Sequence, residues 1–159
     1  MLKRMTLNLL KSREGSQNFG ETMENCIFCK IAGGKIPCSK VYEDDDVLAF
    51  LDIKPAAKGH ALVIPKRHYD TLIHTPIPVL DKMIEAAKKV AVSQEKMLGA
   101  TGCNFLVNNG KDAGQVVLHT HLHVIPRGAD DGLHLSWDPK EYSRDEMAGH
   151  QAKLREFLK

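Results

Sequence analysis

Three histidines stand two residues apart in His119-Thr120-His121-Leu122-His123, and no other residues of the chain are better suited to chemistry. Alternation along an extended segment puts the three imidazoles on one face, with Thr120, Leu122 and Val124 on the other. At ~3.3 Å per residue the outer two Cα atoms lie about 13 Å apart. A single metal ion holds imidazole nitrogens at only about 2.0–2.1 Å, so at least one of the three is left for other work. A neutral imidazole with a pKa near 6.5 is a competent nucleophile at pH 7 once its second nitrogen is held. A purely structural strand would place Val or Ile here rather than groups that are costly to bury without partners.

The elements that must present this row can be read from periodicity and turn signals. Cys26–Ile31 reads as a short helix stopped at Gly33-Gly34. Lys40–Tyr42 and Val47–Leu51 form a hairpin around Glu43–Asp46. The unbroken apolar run in His60–Pro65 predicts a strand buried on both faces. A long helix follows, with Thr75 as N-cap and Pro76 at its first position. Its apolar face runs through Val79, Leu80, Met83, Ile84, Ala87, Val90, Ala91 and Leu98 to Gly99. Cys103–Val107 is a fourth strand, Asn108–Gly114 a turn-rich loop and Val116–Pro126 a fifth strand. A last helix starts at the capping box Ser143-Arg144-Asp145-Glu146. Strands and helices do not alternate regularly, which predicts an α+β fold with a mainly antiparallel five-stranded sheet.

Length and charge bound the function. With 159 residues, 43% hydrophobic and 26% charged, the chain has the composition of one ordinary globular domain. Residues 1–22 read as a disordered N-terminal extension, and residues 23–159 as the single domain, with a core over 24–127 and a helical segment over 128–159. Within residues 1–20, Lys3, Arg4, Lys11 and Arg13 against Glu14 alone give a local excess of positive charge. The rest is nearly neutral and offers no broad field for nucleic acid. No stretch reaches the ~18 apolar residues that span a bilayer. Four cysteines are too few for a disulfide scaffold, which points to a reducing, cytoplasmic setting.

The histidine row resembles the signature of the histidine triad (HIT) family, His-φ-His-φ-His-φ-φ with φ apolar, apart from the polar Thr120. Cys26-Ile-Phe-Cys-Lys-Ile31, Val41-Tyr-Glu-Asp44, Leu48-Ala-Phe-Leu-Asp-Ile53, Gly59-His60, Val63-Ile-Pro-Lys66 and Gly114-Gln115 are similar, in the same order, to its Hint-like branch. The resemblance implies a hydrolase of adenosine or other purine phosphoramidates and related nucleotide conjugates, acting as a homodimer. His121 would be the nucleophile that forms a covalent nucleotidyl-histidine, His123 the donor to phosphate oxygens, His119 the holder of His121, and His60 a further orienting group. Asp52 would bind the ribose hydroxyls, and Ile27, Phe28, Ile31, Phe50 and Ile53 would line the base slot. Asn108, Gly114, Gln115 and Val116 would surround the phosphate. Relatives often carry Ser or Thr where this chain has Val116, so the leaving group lacks that proton donor.

Cys26-x-x-Cys29 alone is ambiguous between zinc and redox chemistry. The resemblance implies a structural Zn2+ held by Cys26, Cys29, His68 and His119. Three rival readings stay open at this level: a dinucleoside polyphosphate hydrolase on the same fold, a nucleotide-binding adaptor with little turnover, and a zinc hydrolase using His119 and His121 as ligands.

Overall fold

A computed structural model describes residues 25–158; the extension expected over residues 1–22 lies outside the described residues. Helix α1 (Ile27–Ala32) leads into strands β1 (Lys40–Glu43), β2 (Val47–Leu51) and β3 (Ala61–Pro65). Helix α2 (Ile77–Leu98), strands β4 (Gly102–Leu106) and β5 (Leu122–Arg127), and helix α3 (Glu146–Phe157) follow. The strands form one sheet in the order β1-β2-β3-β5-β4, antiparallel at every pairing, as the α+β reading expects.

Alternation divides the sheet into two working faces. Val47, Ala49, Ala61, Val63, Leu122 and Val124 pack under α2 against Met83, Ala86, Ala87 and Val90. Leu48, Phe50, Leu62 and Ile64 pack on the opposite face against Phe28 of α1. β3 lies between two strands and two layers and is buried throughout, as its apolar run predicts. His123 is opposite Leu62 in the ladder and so belongs to the α1 face.

Four expectations need correction. Thr75 does not cap α2: the N-cap is Pro76, and the Thr75 hydroxyl oxygen lies instead 2.9 Å from the Thr71 carbonyl and 2.8 Å from the Thr120 hydroxyl oxygen. The apolar face of α2 is also narrower than predicted. Small Ala86 and Ala87 let the helix lie close on the sheet, Ile84 points to solvent, and Gln94 is buried. The Gln94 amide earns its place by donating to the carbonyls of Gly59 and Val124, tying α2 to the loop before β3 and to β5.

The fifth strand begins at Leu122, not Val116. The β3–β5 ladder stops at Val63 opposite Leu122, and β3 ends at Pro65, which has no N–H to offer a continued ladder. Residues 116–121 thus run beyond the sheet. At the C-terminus, α3 starts at Glu146 because Asp145 sits at φ +69°, in the left-handed region. The Glu146 carboxylate accepts from the Ser143 N–H and hydroxyl, but the Ser143 hydroxyl accepts no helix N–H and no side chain caps α3, so only the glutamate half of the expected capping box is made.

Candidate active site and metal centre

Hydrogen bonds to groups that can only donate or only accept assign the ring nitrogens of the histidines. The Nδ1 of His121 lies 2.7 Å from the His119 carbonyl, which accepts only, so Nδ1 carries the proton and Nε2 keeps its lone pair. The opposite holds at His123. The Ala56 N–H donates to His60 Nδ1 at 3.1 Å, leaving the His60 proton on Nε2, which donates to His123 Nδ1 at 2.9 Å. His123 therefore carries its proton on Nε2. Two neighbouring rings, with centroids 5.0 Å apart, offer one lone pair and one N–H donor.

Burial keeps these rings neutral. It pushes His123 down to about 4, with His121 and His60 adding to the effect, and lowers His60 and His121 as well. Asp52 opposes the shift at His60, its carboxylate 3.8 Å from Nδ1, while its other oxygen accepts from the Lys54 N–H. Phe28 packs edge-on against both His119 and His121, at 5.8 and 5.3 Å between centroids.

Cys26, Cys29, His68 and His119 form a second cluster, their ligand atoms all within 4.8 Å of one another. His119 Nδ1 is 3.4 Å from the Cys26 sulfur and 3.5 Å from that of Cys29, and His68 Nδ1 is 3.2 Å from Cys29. A tetrahedral zinc with bonds of about 2.3 Å to sulfur and 2.0–2.1 Å to nitrogen has S···N edges of about 3.5 Å, so the donor set fits. The far nitrogens are also held as metal-bound imidazoles require: His119 Nε2 donates to the Pro65 carbonyl and His68 Nε2 to Asp70. Burial and the adjacent Cys26 sulfur push the Cys29 thiol up to about 12, so a thiolate there needs a cation beside it. His121 is not part of this set.

The loop before the histidines is built around Gln115. Its amide oxygen accepts from the Gly110 N–H, and its nitrogen donates to the carbonyls of Asp70 and Val117. Gln115 is thus committed to shaping the loop. Asn108 reaches the Gly114 carbonyl, and Gly114 sits at φ +84°, which favours glycine. Val116 is 91% exposed and presents only methyls.

The fold thus brings His60, His121, His123 and Asp52 together, and separately gathers the four expected metal ligands. Phe28 and Phe50 are buried with their rings edge-on at 5.8 Å, and Ile31 is half-buried beside them. Ile27 and Ile53 are exposed, Ile53 at 92%. Sequence reasoning missed Asp70 and the backbone of Ala56, Pro65 and Tyr69. Asp70 alone left a signal, a carboxylate two residues beyond His68.

Known proteins resemble this arrangement. The HIT domain model matches residues 33–130. The adenylylsulfatase HINT3 of Arabidopsis thaliana is 43% identical over 143 residues, 87% of this chain and 73% of that protein. The adenosine 5'-monophosphoramidase hnt1 of Schizosaccharomyces pombe is 42% identical over 124 residues, covering 77% and 90%. A crystal structure from Streptococcus mutans superposes with a TM-score of 0.83 at 39% identity, covering 91% and 92%. A zinc-bound histidine triad protein of Mycobacterium smegmatis gives 0.67 at 38% identity, covering 84% and 98%.

Proposed function

Since the chain belongs to the histidine triad (HIT) family of nucleotide-binding hydrolases, we propose that it cleaves adenosine phosphoramidates or related purine nucleotide conjugates through a nucleotidyl-histidine on His121. The observation that carries this reading is the opposite protonation of two adjacent rings. His121 Nε2 attacks the α-phosphorus; the bond from phosphorus to the leaving group breaks as the Nε2–P bond forms. The positive charge on the ring is met by the His119 carbonyl at Nδ1. His123 Nε2–H donates to a non-bridging oxygen as charge gathers there. Water then cleaves the Nε2–P bond, releasing the nucleoside monophosphate and restoring His121.

Asp52 binds the ribose, the apolar groups of Phe28, Phe50, Ile27, Ile31 and Ile53 take the purine, and the 108–116 loop wraps the phosphate. Val116 offers the leaving group no proton, so that proton comes from water at the mouth of the site. The family kinship and the two enzymatic relatives support this class of substrate. Zinc held by Cys26, Cys29, His68 and His119 has no open position and so a structural task.

The test offers the protein an adenosine phosphoramidate and a diadenosine polyphosphate. We expect kcat/KM to favour the phosphoramidate and quenched samples to carry an acid-labile nucleotide on His121. Preference for the polyphosphate would move the protein to the rival hydrolase class. Absence of turnover on both, with nucleotide still bound, would make it an adaptor.

The homodimer reading rests on one edge of the sheet. β4 has no strand on its outer side among the described residues, Phe105 on it is 47% exposed, and Ile84 and Val92 of α2 are also exposed. Light scattering should give twice the 17.7 kDa chain mass, and Phe105→Glu should halve it. A monomeric native protein, or an unaffected dimer in the variant, contradicts this interface.

A further inference from the structure

His119 and His121 lie on a stretch that the sheet does not hold, since the ladder between β3 and β5 ends at Leu122. Misplacement by about 1 Å at a reacting centre costs on the order of 10²-fold in rate, so this stretch needs another anchor. Its backbone and side chains hang on residues 68–70. The Tyr69 carbonyl accepts both the Thr120 N–H, at 2.6 Å, and the Thr120 hydroxyl, at 3.1 Å. The next carbonyl, Asp70, accepts the Gln115 amide at 2.6 Å. The Thr120 hydroxyl oxygen is also 2.8 Å from that of Thr75; with its own hydrogen on the Tyr69 carbonyl, Thr120 accepts the single hydrogen of Thr75, for which the Thr71 carbonyl, 2.9 Å from the Thr75 oxygen, competes.

Both threonines are almost completely buried, Thr120 at 1% and Thr75 at 5% exposure. Leu122 and Val124 share the face of Thr120, and an apolar side chain would meet the alternation there equally well. A buried hydroxyl is costly unless it is bonded, and every side-chain bond of Thr120 goes to the segment from Tyr69 to Thr75. Thr120 lies between His119, whose carbonyl holds His121 Nδ1, and His121 itself. A shift at Thr120 moves the ring and its holder together.

We propose that Thr120 is a positioning residue: its hydroxyl, clamped between the Tyr69 carbonyl and Thr75, sets the place of the His121 ring against the substrate phosphorus. The proposal rests on His121 being the nucleophile. Thr120 itself touches no reacting atom.

The test compares Thr120→Val, which keeps the shape and removes the hydroxyl, with Thr120→Ser, which restores it. Melting temperature, bound zinc, steady-state constants and the rapid-quench rate of adduct formation on His121 are measured in each. Thr120→Val should lower kcat and the adduct rate by about 10-fold or more, within the loss that misplacement brings. KM should stay within about twofold and zinc content unchanged, and Thr120→Ser should recover most of the rate. Thr75→Val, which leaves the Thr120–Tyr69 bond, should give a smaller loss of the same kind; this variant decides the matter if Thr120→Val does not fold. An unchanged adduct rate in both valine variants overturns the proposal, as does a loss that tracks zinc or folding and is not recovered by serine. A native protein that forms no adduct at all would instead remove the reading of His121 on which it rests.

Discussion

His121→Ala should lower kcat/KM on a nucleotide phosphoramidate by about 10⁴-fold or more, the scale on which covalent catalysis fails when its nucleophile is removed. The expectation follows from how little else in the site can replace it. His123 keeps its lone pair toward His60 and its proton toward the cleft, so it can donate but not attack. His119 has its Nδ1 among the thiols and its Nε2 on the Pro65 carbonyl. Neither ring can take over. By contrast, His123→Ala removes one donor to the phosphate, a loss of about 10²–10³-fold in kcat. Nucleotide affinity, by calorimetry, should survive His121→Ala, because the ring contributes to attack rather than to holding base and ribose. Bound zinc should survive too, since His121 is not one of the four clustered ligands. Residual activity within tenfold of the native value would remove His121 from the chemistry.

The imidazole row was legible because alternation is a local property: two residues per repeat suffice to put His121 and His123 on one face. Where the strand carrying them begins was not. The ladder stops at Val63, two residues before β3 ends at Pro65, and so depends on a segment more than fifty residues away. Thr120 stood out in the sequence only as a polar departure, and its reason appears once Tyr69 and Thr75 are seen beside it. Cys26 and Cys29 announced themselves by spacing. His68 did not, since a single histidine after a strand is common, and only the family resemblance assigned it a role. The protonation of His121 and His123 was the least legible feature. It is set by the His119 carbonyl and the Ala56 N–H, and backbone groups are the same in every residue. Side-chain identity told which rings could react, and chain path told which nitrogen of each is free. The same limit explains Gln94, whose burial inside α2 depends on carbonyls of Gly59 and Val124 that the helix itself does not encode.

Removing the metal separates the two tasks that histidines perform here. A structural zinc at Cys26, Cys29, His68 and His119 would join three segments distant in sequence: the start of α1, the segment after β3 and the stretch before β5. Cys29→Ser should weaken this joint, and strong chelation should undo it. At free zinc 1,000-fold above Kd the bound ion adds about 4 kcal/mol of stability, which for a chain of this size is roughly 10 °C in Tm. The core between the sheet and α2 contains none of the four ligands, so the metal-free protein should melt lower but still cooperatively. Activity should fall with the fraction whose histidine stretch is displaced, because His119 would be a ligand while its carbonyl holds His121. Zinc returned to the chelated protein should restore Tm and turnover together. A catalytic ion makes a different forecast, in which chelation stops turnover while melting and nucleotide binding stay as they were. Four protein donors at tetrahedral spacing leave such an ion no position for water or substrate. The ordering of the two losses, stability against rate, therefore decides whether the metal holds the nucleophile in place or does the chemistry itself.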